Sequence, residues 1–241
     1  MSPPEASAAP VRALILQHEE PTPPGLVTEW LDGHGASAEA FRIDDEDREE
    51  DPTRYDLIVS LGSEFAAFDD TKPFVPREAT LMRRAVEADV PVLGLCFGGQ
   101  MLARVLGAEV YRSSDSEIGW LPVRSADPRK VPEGPWFQWH FDTFATPPGA
   151  TLMAETDVGP QAFVVGRNLG LQFHPEITTD IMTDWVRVYR HELDADGVDP
   201  GALLEETKRR SIESRRMSLQ LLDWYLREVA RLPSRSRAAL G

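Results

Sequence analysis

Through the first 175 residues, short apolar runs alternate with amphipathic stretches. The runs at residues 11–17, 38–43, 55–61 and 91–95 are bounded by glycine or polar turn residues, and several lack the strict alternation of a half-exposed strand, as strands buried on both faces do. They predict parallel strands joined by crossover helices. Residues 76–87 (PREATLMRRAVE) predict one such helix, with Pro76 in its first turn, where a missing N–H costs nothing.

From residue 108 to 175 the segments EVYR, GWLPVR, WFQWHFDTF, ATLMAET and QAFVV predict a smaller antiparallel section. Beyond Pro175 the chain turns helical, over residues 178–194 and 199–232, the second helix opening with Asp199 as cap and Pro200 just inside. Ile212, Leu219, Leu222, Leu226 and Val229 recur near the helical period and predict one face docked on the core, with Lys208–Arg210 and Arg215–Arg216 on the solvated face. The expected organisation is an α/β catalytic domain at 1–195, an open, mostly parallel sheet with flanking helices. A helical extension at 196–232 packs on it, and a disordered tail covers 233–241.

Composition narrows the function classes. The 241 residues carry a net charge of −15, which disfavours phosphate backbones and anionic lipid, so neither nucleic acid nor membrane is an expected partner. The acidity is uneven, since residues 201–241 hold nine basic and five acidic side chains. Residues 44–51 (DDEDREED) gather seven acids around one arginine, which reads as an exposed acidic loop because nothing fixes such neighbours into a coordination shell. The single cysteine excludes an internal disulfide, a Cys-rich zinc site and an iron–sulfur cluster. MSPPEASAAP lacks a basic leader region, and the first apolar run is far shorter than the roughly 20 residues of a membrane span. A reducing, cytoplasmic setting is expected, with no metal and no cofactor.

The chemistry concentrates at PVLGLCFGGQMLARVLG. There an apolar run ends in Gly94-Leu95-Cys96-Phe97-Gly98 and a helical pattern follows at once. A lone cysteine is ordinarily a small buried hydrophobe. Glycines on both sides at a strand–helix junction instead point to a nucleophile elbow, where a sharp turn pushes the central side chain outward. The helix amides and dipole that follow favour a thiolate and an oxyanion.

A thiol nucleophile needs a base. Among the five histidines, His191 falls in a helix and His34 in a turn, positions that read as solvated surface, while His18 ends the first strand, where it could edge a cleft. His174 ends the run GLQF and is followed by Pro175 and Glu176. Proline holds its predecessor extended, and residues two apart on an extended segment point the same way, so Glu176 is placed to orient the imidazole of His174. Gly62 follows the strand at 55–61, where an N–H free of a neighbouring Cβ could approach a ligand closely. Gly62, Cys96 and His174 all fall at carboxyl ends of predicted strands, the edge where open α/β sheets bind ligands.

GLCFGGQ together with a downstream FHPE resembles the class I, or triad, glutamine amidotransferases. YRSSDSEIGW, WFQWHFDTF, PPGA and LQFHPEIT are most similar to the branch containing the glutaminase domain of GMP synthase. The resemblance covers residues 11–185 and implies a flavodoxin-like sheet. It further implies that Cys96 attacks the side-chain amide of glutamine, His174 moves the proton, Glu176 orients His174, and the amides of Gly62 and Phe97 hold the oxyanion. Gln100 would then help hold the amino-acid end of the substrate, with His140 and Phe141 beside the pocket. Two departures bear on substrate identity: Leu61-Gly62-Ser63 stands where the family often has Gly-Gly-Pro, and Phe141 stands where glycine is common.

No nucleotide-binding signature of the SGGxDS kind occurs in these residues, which leaves the amide-cleaving half of such a synthase. Three readings stay open: a glutaminase passing ammonia to a separate synthase subunit, a stand-alone hydrolase or transferase of γ-glutamyl amides and peptides, and a catalytically silent regulatory or scaffold homologue. The intact Cys96, His174 and Glu176 weigh against the third. A cysteine-type α/β-hydrolase would place its acid well before the histidine rather than two residues after it.

Overall fold

The computed structural model describes residues 10–44 and 50–233; the middle of the acidic run and all of the expected tail but Pro233 lie outside them. In chain order the elements are β1 (Arg12–Gln17), α1 (Leu26–Gly33), β2 (Ser37–Arg42), β3 (Leu57–Ser60), α2 (Phe74–Glu87), β4 (Val92–Leu95), α3 (Phe97–Val105), β5 (Val110–Leu121), β6 (Arg124–Ser125), β7 (Trp136–Phe144), β8 (Thr151–Glu155), β9 (Pro160–Val165), β10 (Asn168–Leu171), α4 (Thr179–Val188), α5 (Arg190–Asp196) and α6 (Pro200–Trp224), which ends in a π-helical turn at Tyr225–Val229.

The main sheet has eight strands in the order β2-β1-β3-β4-β10-β9-β8-β6. The first five run parallel, and β9, β8 and β6 continue the sheet antiparallel. Alternation within each strand divides the core into two layers. Ala13, Ile15, Leu57, Val59, Leu93 and Leu95 pack toward α1 and α6, whereas Leu14, Leu16, Ile58 and Val92 pack toward α2 and α3. β5 and β7 form a separate antiparallel ribbon. Its aromatic face, Trp120, Phe137 and Trp139, packs with Ile181, Met182 and Trp185 of α4 in a third cluster.

Three sequence expectations are corrected here. The antiparallel section is not one unit: β8 and β9 join the main sheet, and EVYR belongs to a single long β5 whose pairing with β7 shifts register between Arg112 and Glu117. The helix expected at 178–194 is two helices, because the chain breaks at Tyr189, which ends α4 and caps α5. On α6, Ile212 is 86 % exposed, and the docked face carries Met217, Leu221 and Tyr225 beside Leu219, Leu222 and Leu226. Its Arg215 and Arg216 are exposed as expected and pair with Glu29 and Glu213.

Candidate active site

The site stands where β3, β4 and β10 end. Cys96 caps α3 with φ 50° and ψ −106°, a conformation that ordinarily costs a non-glycine residue about 1–3 kcal/mol. The following residue offsets a cost of that size. Phe97 is fully buried against the rings of His18 and Phe74, and burying such a side chain contributes about 1.5–3 kcal/mol. The turn tolerates no bulk on either side: a Cβ on Gly94 would lie 2.3 Å from the Gly98 carbonyl oxygen, and one on Gly98 would lie 2.3 Å from that of Ser60.

Cys96 is a free thiol, buried but lining a cleft together with Gly62, Gln100 and His140. His174 lines the same cleft, whereas Glu176 is buried outside its lining. The Nδ1–H of His174 donates to Oε1 of Glu176 at 2.7 Å, and both side chains are buried. The segment is not extended as the sequence reading supposed. Residues 174–177 form a turn in which the Ile177 N–H approaches the His174 carbonyl at 3.5 Å, and this turn swings the carboxylate back onto the ring.

The other ring nitrogen, Nε2, is buried without a hydrogen-bond partner among the described residues, and Cys96 is the second group acting on the ring. Burial disfavours the imidazolium, but the negative charges of Glu176 and Cys96 outweigh it, so the His174 pKa rises to about 10.

Gly62 lies against this pair, since a Cβ there would come within 3.1 Å of His174 Cε1 and 3.8 Å of Cys96 Cβ. Among the described residues its N–H has no acceptor, and the Phe97 N–H belongs to the orphan donors of the first turn of α3. Gln100 lines the cleft, but its amide is already engaged, donating to the Asp142 carbonyl at 3.0 Å and toward Oε1 of Gln172 at 3.3 Å.

His140 lines the cleft too, its Nδ1 at 3.1 Å from the Asp142 carbonyl and its Nε2 at 3.0 Å from Glu117. Phe141 lies at the mouth with the Arg112 guanidinium 4.7 Å from its ring centroid. Burial holds the Asp142 carboxyl above the usual range, an effect that Arg112 only partly offsets.

The remaining histidines divide. His191 is exposed on α5 as expected. His34 is not a solvated residue: it caps α1 and bonds Asp223 of α6 at 2.8 Å. His18 does not edge the cleft and is wholly buried behind Gly62. Sequence reasoning missed Gln172, whose Nε2 donates to Cys96 Sγ at 3.7 Å. The available signal was a glutamine inside an apolar run, two residues before His174. Among the described residues no group of three His, Cys, Asp or Glu side chains could hold a metal ion, and no helix is long and apolar enough to cross a membrane.

Residues 28–185 match the family model for class-I glutamine amidotransferases. The crystal structure of a glutamine amidotransferase from Thermotoga maritima is 33 % identical, with a TM-score of 0.82 over 90 % of this chain and 98 % of that one. One from Methylobacillus flagellatus is 25 % identical, with a TM-score of 0.83 over 94 % and 97 %. The glutamine-hydrolysing GMP synthase of Thermus thermophilus is 36 % identical over 132 residues, 52 % of this chain and 25 % of that protein. That of Aeropyrum pernix is 36 % identical over 110 residues, 40 % of this chain and 21 % of that protein. The match therefore spans about a quarter or less of these synthases.

Proposed function

Because the chain belongs to the class I glutamine amidotransferase family, we propose that it is an amide hydrolase whose nucleophile is Cys96 and whose substrate is glutamine. The observation that carries this reading is the convergence of a strained, outward-turned thiol with a buried imidazole that is oriented by Glu176 through one nitrogen and unpartnered at the other.

In the reading, the Cys96 thiolate attacks the substrate Cδ, and the oxyanion forms between the N–H groups of Gly62 and Phe97. Nε2 of His174 gives its proton to the amide nitrogen as the C–N bond breaks, releasing ammonia and leaving a γ-glutamyl thioester. Water then attacks the thioester and passes a proton to His174, glutamate leaves, and the thiolate returns. Glu176 holds the imidazole in the tautomer both steps require. The ammonia would pass to a separate synthase subunit, the reading that the GMP synthase relatives support.

One observation favours a second substrate class. Glu64, Arg112, Phe141 and Glu192 line both the catalytic cleft and an adjoining surface groove, which leaves room for a γ-glutamyl compound longer than glutamine. Incubating the purified protein with glutamine and with a panel of γ-glutamyl peptides, and measuring the ammonia or amine released, tests both. Release abolished in Cys96→Ala supports the mechanism, and release surviving in that variant overturns it. Preference for peptides favours the stand-alone hydrolase, whereas turnover that rises on adding a synthase favours the subunit.

A further inference from the structure

Behind the Gly62 loop lies a buried polar chain with no opening to the cleft. His18, Ser60 and Glu78 are all fully buried. The Nδ1–H of His18 donates to the Gly62 carbonyl at 3.0 Å, its Nε2 meets Oε2 of Glu78 at 2.6 Å, and the Ser60 hydroxyl donates to Oε1 of Glu78 at 2.6 Å. A carbonyl oxygen only accepts, so Nδ1 carries a proton. Burial works against a second proton on the ring, but Glu78, helped by Glu19 and the Gly62 carbonyl, outweighs it and raises the His18 pKa.

The peptide planes show what this contact does. The Gly62 N–H belongs to the 61–62 peptide, whose carbonyl, on Leu61, accepts the Gly98 N–H at 3.1 Å. The next peptide, 62–63, is held through its own carbonyl by His18. In a planar trans peptide the N–H points opposite to the C=O, so the bond from Gly98 to the Leu61 carbonyl fixes the plane that carries the Gly62 N–H, at a glycine whose Cβ would lie 3.8 Å from that of Cys96. Glycine is the residue least able to hold its own dihedrals, and His18 is bonded directly to the Gly62 carbonyl. Ser63, which lacks proline's fixed φ, adds a bond from its hydroxyl to Glu19 at 2.5 Å.

We propose that His18 is a positioning residue for acyl transfer: by holding the Gly62 carbonyl, it keeps the Gly62 N–H aimed at the developing oxyanion before substrate arrives. This rests on the reading of Cys96 as nucleophile and Gly62 as oxyanion donor. Donors fixed in advance act at full strength because no reorganisation accompanies the reaction.

The test compares two variants of the full chain. His18→Gln retains a side-chain N–H donor. The double variant His18→Leu/Glu78→Leu replaces the buried pair with apolar groups of similar size, an exchange that buried pairs often tolerate. Glutamine turnover gives kcat and KM, and alkylation by iodoacetamide, which forms no oxyanion, reports Cys96 reactivity and access. In the double variant kcat should fall about 10- to 100-fold while KM and the alkylation rate stay within about threefold, and His18→Gln should recover part of the loss.

An unchanged kcat, a parallel fall in alkylation, or failure of both variants to fold would overturn the inference. The last would make His18 a residue of core stability and nothing more. Turnover surviving in Cys96→Ala would instead remove the reading underneath it, a different result from normal His18 variants beside an inactive Cys96→Ala.

Discussion

His174 and Glu176 meet at 2.7 Å across Pro175, through a turn that folds the carboxylate back onto the imidazole. The contact engages Nδ1 and leaves Nε2 as the nitrogen available to Cys96 and substrate. On the proposed mechanism, orientation and proton transfer fall to different nitrogens of this one ring.

Glu176→Gln should leave the fold intact and lower kcat by about 10²–10⁴-fold with little change in KM, because an amide no longer enforces the Nδ1–H tautomer. Steady-state kinetics with glutamine, alongside circular dichroism, checks this. A kcat within threefold of wild type would remove Glu176 from the mechanism.

The raised His174 pKa has a stability consequence with a definite sign. Its folded-state value, about 10, lies above the ordinary 6.5, so the stabilisation is complete below about pH 6.5 and is lost as pH climbs toward 10. Urea unfolding of wild type and His174→Gln across that range should show their stability difference shrinking with rising pH. A difference that grows would contradict the assignment of Glu176 and Cys96 as the charges that hold the proton.

Gln172→Leu tests the residue that the sequence reading passed over. Alkylation proceeds through the thiolate, and a hydrogen bond to that charged form contributes about 1.5–3 kcal/mol, so losing the Gln172 donor should slow Cys96 alkylation at neutral pH about tenfold or more. Alkylation at the wild-type rate would show that the amide does not act on the sulfur.

What the sequence disclosed follows from how local each feature is. The elbow was legible because Gly94 and Gly98 meet backbone a few residues away or on the neighbouring strand, a constraint written in the motif itself. The parallel strands were legible from runs such as Leu57–Ser60 and Val92–Leu95, buried along their whole length. The place of β8 and β9 in the main sheet was not, because alternation identifies a strand's faces and not its partner. His18 illustrates the same limit: its partners, Gly62 and Glu78, lie 44 and 60 residues away, and nothing in the residues around it specifies either. The exposure of Ile212 was also missed, because it lies half a turn around α6 from Leu203 and Leu221, whose face is the docked one.

The central claim is that Cys96 carries the acyl group. Mixing the protein with glutamine, quenching in acid within the first turnovers and mapping peptides by mass spectrometry tests it directly. The expected result is one glutamyl group on the peptide containing Cys96, absent in Cys96→Ala and accumulating when the water step is slowed. Ammonia released at the wild-type rate with no adduct on that peptide, or with the adduct on another residue, would contradict the account.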